Sequence, residues 1–471
     1  MSTAPPRNLL TGRVVVVGNG PAAHRLVERL RAQGHGGPIT VLGAEGRGAY
    51  NRVLLGSVLD GSLPAAAVTL PDLDAEVHQT AEVTDVDRAQ RSVRTADGRE
   101  FGYDVLVLAT GSRPLVPEVL GLGTDRLTAL RTLADCARLE ASTGPVAVLG
   151  GGLLGIETAR ALLARGREVT LVHREPYLVE RRLDEAGGRM LAQRLRALGI
   201  DVRTGVKAAS YRSGTLLLGD GSEVPAELVV ACTGVWPEVA LAQRAGVSVN
   251  RGVVVDDRLR TSDPHVHAIG DCAEHRGTTP GLVASAWEQA DVLAAHLTGR
   301  EATYAGTPVV SRLKARGIDL ASVGSVRALS SGDAEIVTLS DPARGRYAKL
   351  ALHSGRISGA VLLGFPAAIA AIGQLHDRDL PMPADRLSLL LGTSAAVPGA
   401  PVGPPQDAVL CRCNNVTRKT LISAWHAGAR SVAELARATR ATTGCGGCVD
   451  DVGRLCSSLA DRIETEREGA A

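Results

Sequence analysis

Two short, wholly apolar runs end in glycine-rich turns, and this pair constrains the fold more than any other feature of the chain. Val14–Val17 leads into Gly18-Asn19-Gly20. The spacing beyond it predicts a helix over Pro21–Gln33 and a strand over Ile39–Leu42. The pattern returns at Val146–Leu149, with a turn at Gly150-Gly151-Gly152, a helix near Leu153–Arg165 and a strand over Glu168–His173. Short β-rich runs bounded by glycine are what parallel strands covered on both faces require.

Each turn carries the spacing of a dinucleotide cradle. In Gly18-Asn19-Gly20-Pro21-Ala22-Ala23 the first glycine permits a tight turn and the second lets the backbone approach a pyrophosphate. The small Ala23 lets helix and strand pack closely, and the helix amino end faces the anion. Glu45, after the second strand, is placed to take ribose hydroxyls. The second turn has the full G-x-G-x-x-G form, which makes Gly150, Gly152, Leu154 and Gly155 cofactor candidates. One such match is weak evidence. Two, each between strand and helix, leave little room for an unrelated glycine-rich turn.

With 471 residues the chain is long enough for three or four units. A second turn inside strand-rich sequence suggests an α/β fold with one dinucleotide domain inserted into another. The first spans 11–120 and resumes over 248–300; the second covers 121–247. Alternating short strands and a later helix in 304–391 indicate a small α+β domain. Residues 393–407, rich in Pro, Ala and Gly, read as an extended linker, and 408–460 form a compact cysteine-bearing segment. A net charge of +2 provides no strong field for nucleic acid or an anionic membrane. The amino terminus lacks the pattern of a secretory signal, and no apolar run is long enough to span a bilayer. Those features, with cysteines too sparse for a disulfide scaffold, predict a cytoplasmic protein.

Two further segments, Leu106–Pro114 (LVLATGSRP) and Val266–Ala273 (VHAIGDCA), resemble the second and third FAD motifs of pyridine nucleotide-disulfide oxidoreductase-fold flavoproteins. The resemblance implies FAD at the first cradle and NADH or NADPH at the inserted one. It adds Ala109, Thr110, Gly111 and Asp271 to the FAD set, with Asp271 accepting hydrogen bonds from ribityl hydroxyls; Val83 is counted with them. The disulfide reductases of this fold use a cysteine pair beside the flavin. Here Cys136, Cys232 and Cys272 stand alone, so electrons must leave the flavin another way. The one catalytic candidate is Glu157, where ferredoxin reductases of this family have a glutamate near the nicotinamide. The lysine that accompanies it there falls near Ser57 and is missing, which leaves an orienting role equally open. His173-Arg174 ends the second strand of the inserted domain, the place where the adenosine ribose is read. Arginine leans to NADPH, the family resemblance below to NADH.

Five of the eight cysteines fall at the carboxyl end. Cys411-Arg412-Cys413 and Cys445-Gly446-Gly447-Cys448 suit a tetrahedral zinc or an iron–sulfur cluster. The intervening sequence, with helical patterns from Thr417 and over Ser431–Thr439, looks like a bacterioferritin-associated ferredoxin type of [2Fe–2S] domain. Ala49–Leu55 (AYNRVLL), Leu313–Asp319 (LKARGID) and Ala438-Thr439-Arg440 together resemble the reductase portion of assimilatory nitrite and nitrate reductases. That resemblance places Arg52 near the FAD pyrophosphate. Two departures stand out: Ala44 replaces the family's acid after the second strand, and no further cysteine cluster exists for a sirohaem centre. The expectation is an electron-transfer subunit feeding a separate terminal reductase, such as a molybdopterin nitrate reductase. A flavin subunit of an amino-acid or opine dehydrogenase and a non-catalytic redox-sensing docking protein are the alternatives.

Overall fold

The computed structural model describes residues 10–307, 310–313, 315–392, 406, 408–411, 416–442 and 447–468. The first parallel sheet has five strands in the spatial order Val266–Ala268, Val105–Leu108, Val14–Val17, Ile39–Leu42, Glu76–His78. Val14–Val17 lies at its centre, paired on both sides and almost fully buried, which is why its sequence is apolar throughout rather than alternating. A three-stranded antiparallel sheet of Val83–Asp87, Ser92–Thr95 and Glu100–Gly102 is interposed before Val105–Leu108.

The inserted unit repeats this plan. Its parallel sheet runs Asp201–Thr204, Val169–His173, Val146–Leu149, Leu228–Ala231, Leu127–Ala129, and its antiparallel companion comprises Ala208–Arg212, Thr215–Leu218 and Glu223–Pro225. The chain leaves the first unit through Ser112–Pro114 and returns through Val235–Pro237. These two segments pair antiparallel, so the crossings lie side by side. Both cradle helices begin at the glycine turn, Pro21–Ala32 and Leu153–Ala164. Pro21 at the first helical position costs no hydrogen bond there and presets the helical φ.

A five-stranded antiparallel sheet follows, in the order Val310–Arg312, Leu320–Gly324, Arg356–Leu363, Arg346–His353, Glu335–Asp341. The helix Pro366–Asp377 packs on one side of it through Ala368, Ile369 and Ile372. Its other side shares a core with the inserted unit, where Tyr347 and Leu363 join Leu162, Leu191 and Leu195. Tyr347 Oη donates to Asp184 Oδ2 at 2.6 Å, and Lys349 Nζ reaches the same oxygen at 3.2 Å.

In the carboxyl-terminal segment, Val409–Cys411 pairs with Val416–Thr417, followed by helices Arg418–His426, Val432–Thr439 and Val449–Glu468. Thr417 and Ser431 cap the first two through their hydroxyls, accepting from Thr420 N and Glu434 N. The last helix continues to Glu468, past residue 460. The linker 393–407 lies outside the described residues except for Gln406. No helix among the described residues is long and apolar enough to cross a membrane.

Candidate functional site

Gly18 sits at φ +111°, and a Cβ there would stand 2.2 Å from the Ala109 carbonyl oxygen, so the turn accepts only glycine. Gly20 occupies the N-cap of the first cradle helix with no capping side chain, and the space where its Cβ would point is open. Backbone N–H groups at that helix start therefore face a void. The void is a cleft of about 580 Å³, a size suited to a large cofactor. The Asn19 amide lines it with both its nitrogen and its oxygen buried and unpartnered. A buried amide in that state costs free energy until a ligand satisfies it. An anion-ready helix start, an open cradle and an orphan amide together fit a dinucleotide.

Most of the first candidate set converges on this cleft. Gly18, Gly20, Pro21 and Ala22 form one wall, and Ala109, Thr110 and Gly111 another. Glu45, Arg52 and Asp271 complete it, and Leu154 and Glu157 enter from the inserted unit. Ala23 lies fully buried behind the turn. Val83 heads the first antiparallel strand, packs against the first core and is not among the lining residues.

The polar side chains of the cleft are already coupled. Asp271 Oδ2 accepts from Ser112 Oγ at 2.8 Å and from Arg131 Nη2 at 3.0 Å, and Arg131 also donates to Ser112 Oγ at 2.8 Å. Arg52 forms an ion pair with Glu45, donates to Tyr50 Oη at 2.7 Å, and reaches the Arg131 carbonyl oxygen at 3.1 Å. Burial alone would raise the Glu45 pKa, but hydrogen bonds from Arg52 and Tyr50 outweigh it and hold the carboxyl below its ordinary value. Burial pushes the Tyr50 phenol up to about 12. Nothing in the sequence marks Arg131: it follows the short strand Leu127–Ala129 and belongs to no glycine motif. Ser112 lies within the LVLATGSRP run, whose pattern alone assigns it no role.

The second cradle is built alike. A Cβ on Gly155 would stand 1.8 Å from the Gly150 carbonyl oxygen, so this position can carry no side chain at all. Gly152 caps its helix without a side chain and opens onto free space. Gly150, Gly152 and Gly155 are not among the residues that line the 580 Å³ cleft. His173 is committed elsewhere. Its Nδ1 accepts from Gly151 N at 3.0 Å while Nε2 lies 3.1 Å from Glu180, so the ring props the glycine turn from below. Arg174 projects outward, 73% exposed, and pairs with Glu175. Glu157 is buried at the inner wall beside Gly56, where a Cβ would come within 3.9 Å of its own.

No cysteine lines the cleft among the described residues. Cys136, Cys232 and Cys272 are buried apart from one another. Burial pushes the thiols of Cys136 and Cys232 up to about 12 and raises that of Cys272, so all three stay protonated. Cys411 and Cys448 are buried in the small carboxyl-terminal core with Trp425 and Leu435. Cys413 and Cys445 lie outside the described residues. A donor set of four cysteines, two of them already drawn into one small core, fits a thiolate-held cluster.

Two nested dinucleotide cradles, one opening on a cleft that the other helps to wall, define a flavoprotein reductase of the two-dinucleotide class. The chain belongs to the pyridine nucleotide-disulphide oxidoreductase family, whose model matches residues 12–290. A BFD-like [2Fe-2S] binding domain matches 409–457, and the C-terminal domain of rubredoxin NAD+ reductase matches 310–374. The chain is 34% identical to nitrite reductase [NAD(P)H] of Bacillus subtilis, over 93% of this chain and 56% of that protein. It is 32% identical to the assimilatory nitrate reductase electron transfer subunit of the same organism, over 93% of this chain and 58% of the other. Among solved structures, a ferredoxin reductase from Rhodopseudomonas palustris superposes with a TM-score of 0.72 at 28% identity, covering 82% of this chain and 100% of that one. The chain thus spans a little over half the length of these two curated relatives. Family and domain together make it an oxidoreductase of FAD, NAD(P)H and a [2Fe–2S] cluster.

Proposed function

We propose that the chain is an NAD(P)H-dependent reductase that passes electrons from FAD through its carboxyl-terminal cluster to a separate terminal reductase of nitrate or nitrite assimilation. A molybdopterin nitrate reductase in the cytoplasm is the acceptor this reading favours. One observation carries it: the cleft draws walls from both dinucleotide units, yet no described cysteine lines it. FAD supplies the conversion between hydride and single-electron chemistry, and the cluster carries electrons one at a time.

The chain's own residues bind and orient. Gly18, Gly20, Pro21 and Ala22 hold the FAD pyrophosphate against the helix start, with Arg52 supplying positive charge. Ala109, Thr110 and Gly111 would form the facing wall of the FAD cleft, and Asp271, fixed by Ser112 and Arg131, would accept from the ribityl hydroxyls. In the inserted unit Gly150, Gly152, Leu154 and Gly155 hold the nicotinamide dinucleotide. Arg174 is the exposed group placed to meet its adenosine ribose, while His173 keeps the turn in shape. Glu157 orients the nicotinamide from the shared wall. Cys411, Cys413, Cys445 and Cys448 ligate the cluster.

The test is anaerobic titration of the purified holoprotein with NADH and, separately, NADPH, with iron and acid-labile sulfide assayed alongside. Flavin bleaching followed by the signal of a reduced [2Fe–2S] centre is expected. Zinc in place of iron and sulfide, or bleaching by an amine substrate but by neither nicotinamide, overturns the reading.

A further inference from the structure

Two arginines that the proposed chemistry leaves unexplained tie the carboxyl-terminal segment to the rest of the chain, one at the first cradle helix and one at the antiparallel sheet after residue 310. Arg440 ends the helix Val432–Thr439 in a left-handed conformation and forms an ion pair with Glu28, on the third turn of the first cradle helix. The two side chains are only 31% and 26% exposed, so the pair is partly withdrawn from water. Glu28 is set up to receive it: His24, one turn earlier, is fixed by a 2.7 Å bond to the Pro71 carbonyl oxygen and turns Nδ1 to within 3.6 Å of Glu28. Burial raises the cost of charging Glu28, yet hydrogen bonds with His24 and Arg440 outweigh it and hold the carboxyl down at about 2. The second contact is made by Arg312, on the edge strand Val310–Arg312. Its Nη1 donates to the Gly447 carbonyl oxygen at 3.3 Å, one residue before Cys448.

We propose that these two contacts form the docking station at which the cysteine domain receives electrons, and that Arg312 raises the cluster's reduction potential only while the domain is docked. This rests on the proposed function. Each transfer removes one electron from the reduced flavin and adds one negative charge to the cluster and its four thiolates; NAD(P)H supplies the pair, and nothing else is consumed. A guanidinium bonded to the ligand loop stabilises the more negative state, and a cluster potential responds to local charge and hydrogen bonding. Docked, the cluster accepts more readily. Released from Arg312, it donates more readily, so one contact favours uptake on the body and delivery to an outside acceptor. Arg312, Glu28 and Arg440 are positioning residues, distant in role from the cofactor cradles.

The experiment uses the full-length holoprotein, with iron, sulfide and FAD content verified first. On rapid mixing with NAD(P)H, Glu28→Arg should slow cluster reduction by about tenfold while flavin reduction stays within about twofold of wild type. Glu28→Gln guards against a folding defect and should fall between the two. The exchange Glu28→Arg with Arg440→Glu should recover most of the rate, as expected for a directly interacting pair. In an EPR-monitored redox titration, Arg312→Met should lower the cluster midpoint potential with FAD content unchanged. Unchanged cluster reduction in Glu28→Arg at full cluster content would overturn the docking station. An unchanged midpoint in Arg312→Met would overturn the tuning. Zinc in the wild-type protein would instead refute the underlying reading, and the metal assay shows that before any rate is measured.

Discussion

At the scale of single residues, the floor of the cleft is a closed triangle of Asp271, Ser112 and Arg131. Replacing Asp271 with Ala leaves two donors facing the cleft without their acceptor and deletes the group assigned to the ribityl chain. A charge-assisted hydrogen bond is worth about 1.5–3 kcal/mol, so FAD should bind roughly tenfold or more weakly. The flavin-to-protein absorbance ratio of the purified variant reads this directly. A different residue links stability to acid. His267 is buried in the first parallel sheet, 6.1 Å from the His296 ring, and burial holds its pKa down from 6.5 to about 3. The native state thus refuses a proton that the unfolded chain accepts. Stability is unaffected above 6.5 and is lost progressively as pH falls from there toward about 3. The melting-temperature gap between His267→Phe and wild type should move in the variant's favour as pH is lowered through that window, and a constant gap would contradict the assignment.

At the scale of elements, the glycine turns and their flanking strands were legible because nearly every side chain there is determined by one local constraint. Val14–Val17, Ile39–Leu42 and Val146–Leu149 have the bounds that their apolar runs suggested. The helices after the turns end within a residue of expectation. What stayed hidden depends on partners far along the chain. Arg131 becomes a site residue only because Ser112 and Asp271 meet it, and His173 becomes a prop only because Gly151 presents its N–H. At Gly155 the helix and strand of the second cradle press together so closely that alanine must displace the Gly150 carbonyl. Overpacking of this kind costs about 1–3 kcal/mol. Gly155→Ala should weaken NAD(P)H binding, measured by titration, while FAD content remains that of wild type. Cys448→Ser addresses a different element: it should abolish the cluster signal and retain NAD(P)H-driven reduction of a small-molecule dye by the flavin.

At the scale of the whole molecule, the sequence conveyed the order of units but not their contacts. The antiparallel sheet after residue 310 is fused to the inserted unit through a common core, and the cysteine segment meets the first cradle helix through Arg440. Neither follows from any local pattern, since both surfaces are made of residues ordinary in themselves. On the proposal that 393–405 tethers the cysteine domain, deleting about six of these residues should slow reduction of an external acceptor protein while flavin reduction is unchanged, because a tether's reach depends on its length. Equal acceptor rates in both proteins would remove the tether from the mechanism. The nested chain path also sets an order in time. The edge strand Val266–Ala268 and Asp271, which complete the first sheet and its cleft, are encoded after the entire inserted unit. A nascent chain on the ribosome therefore contains the whole sequence of the second cradle before the first can receive its last wall, and no flavin can be fully enclosed until then.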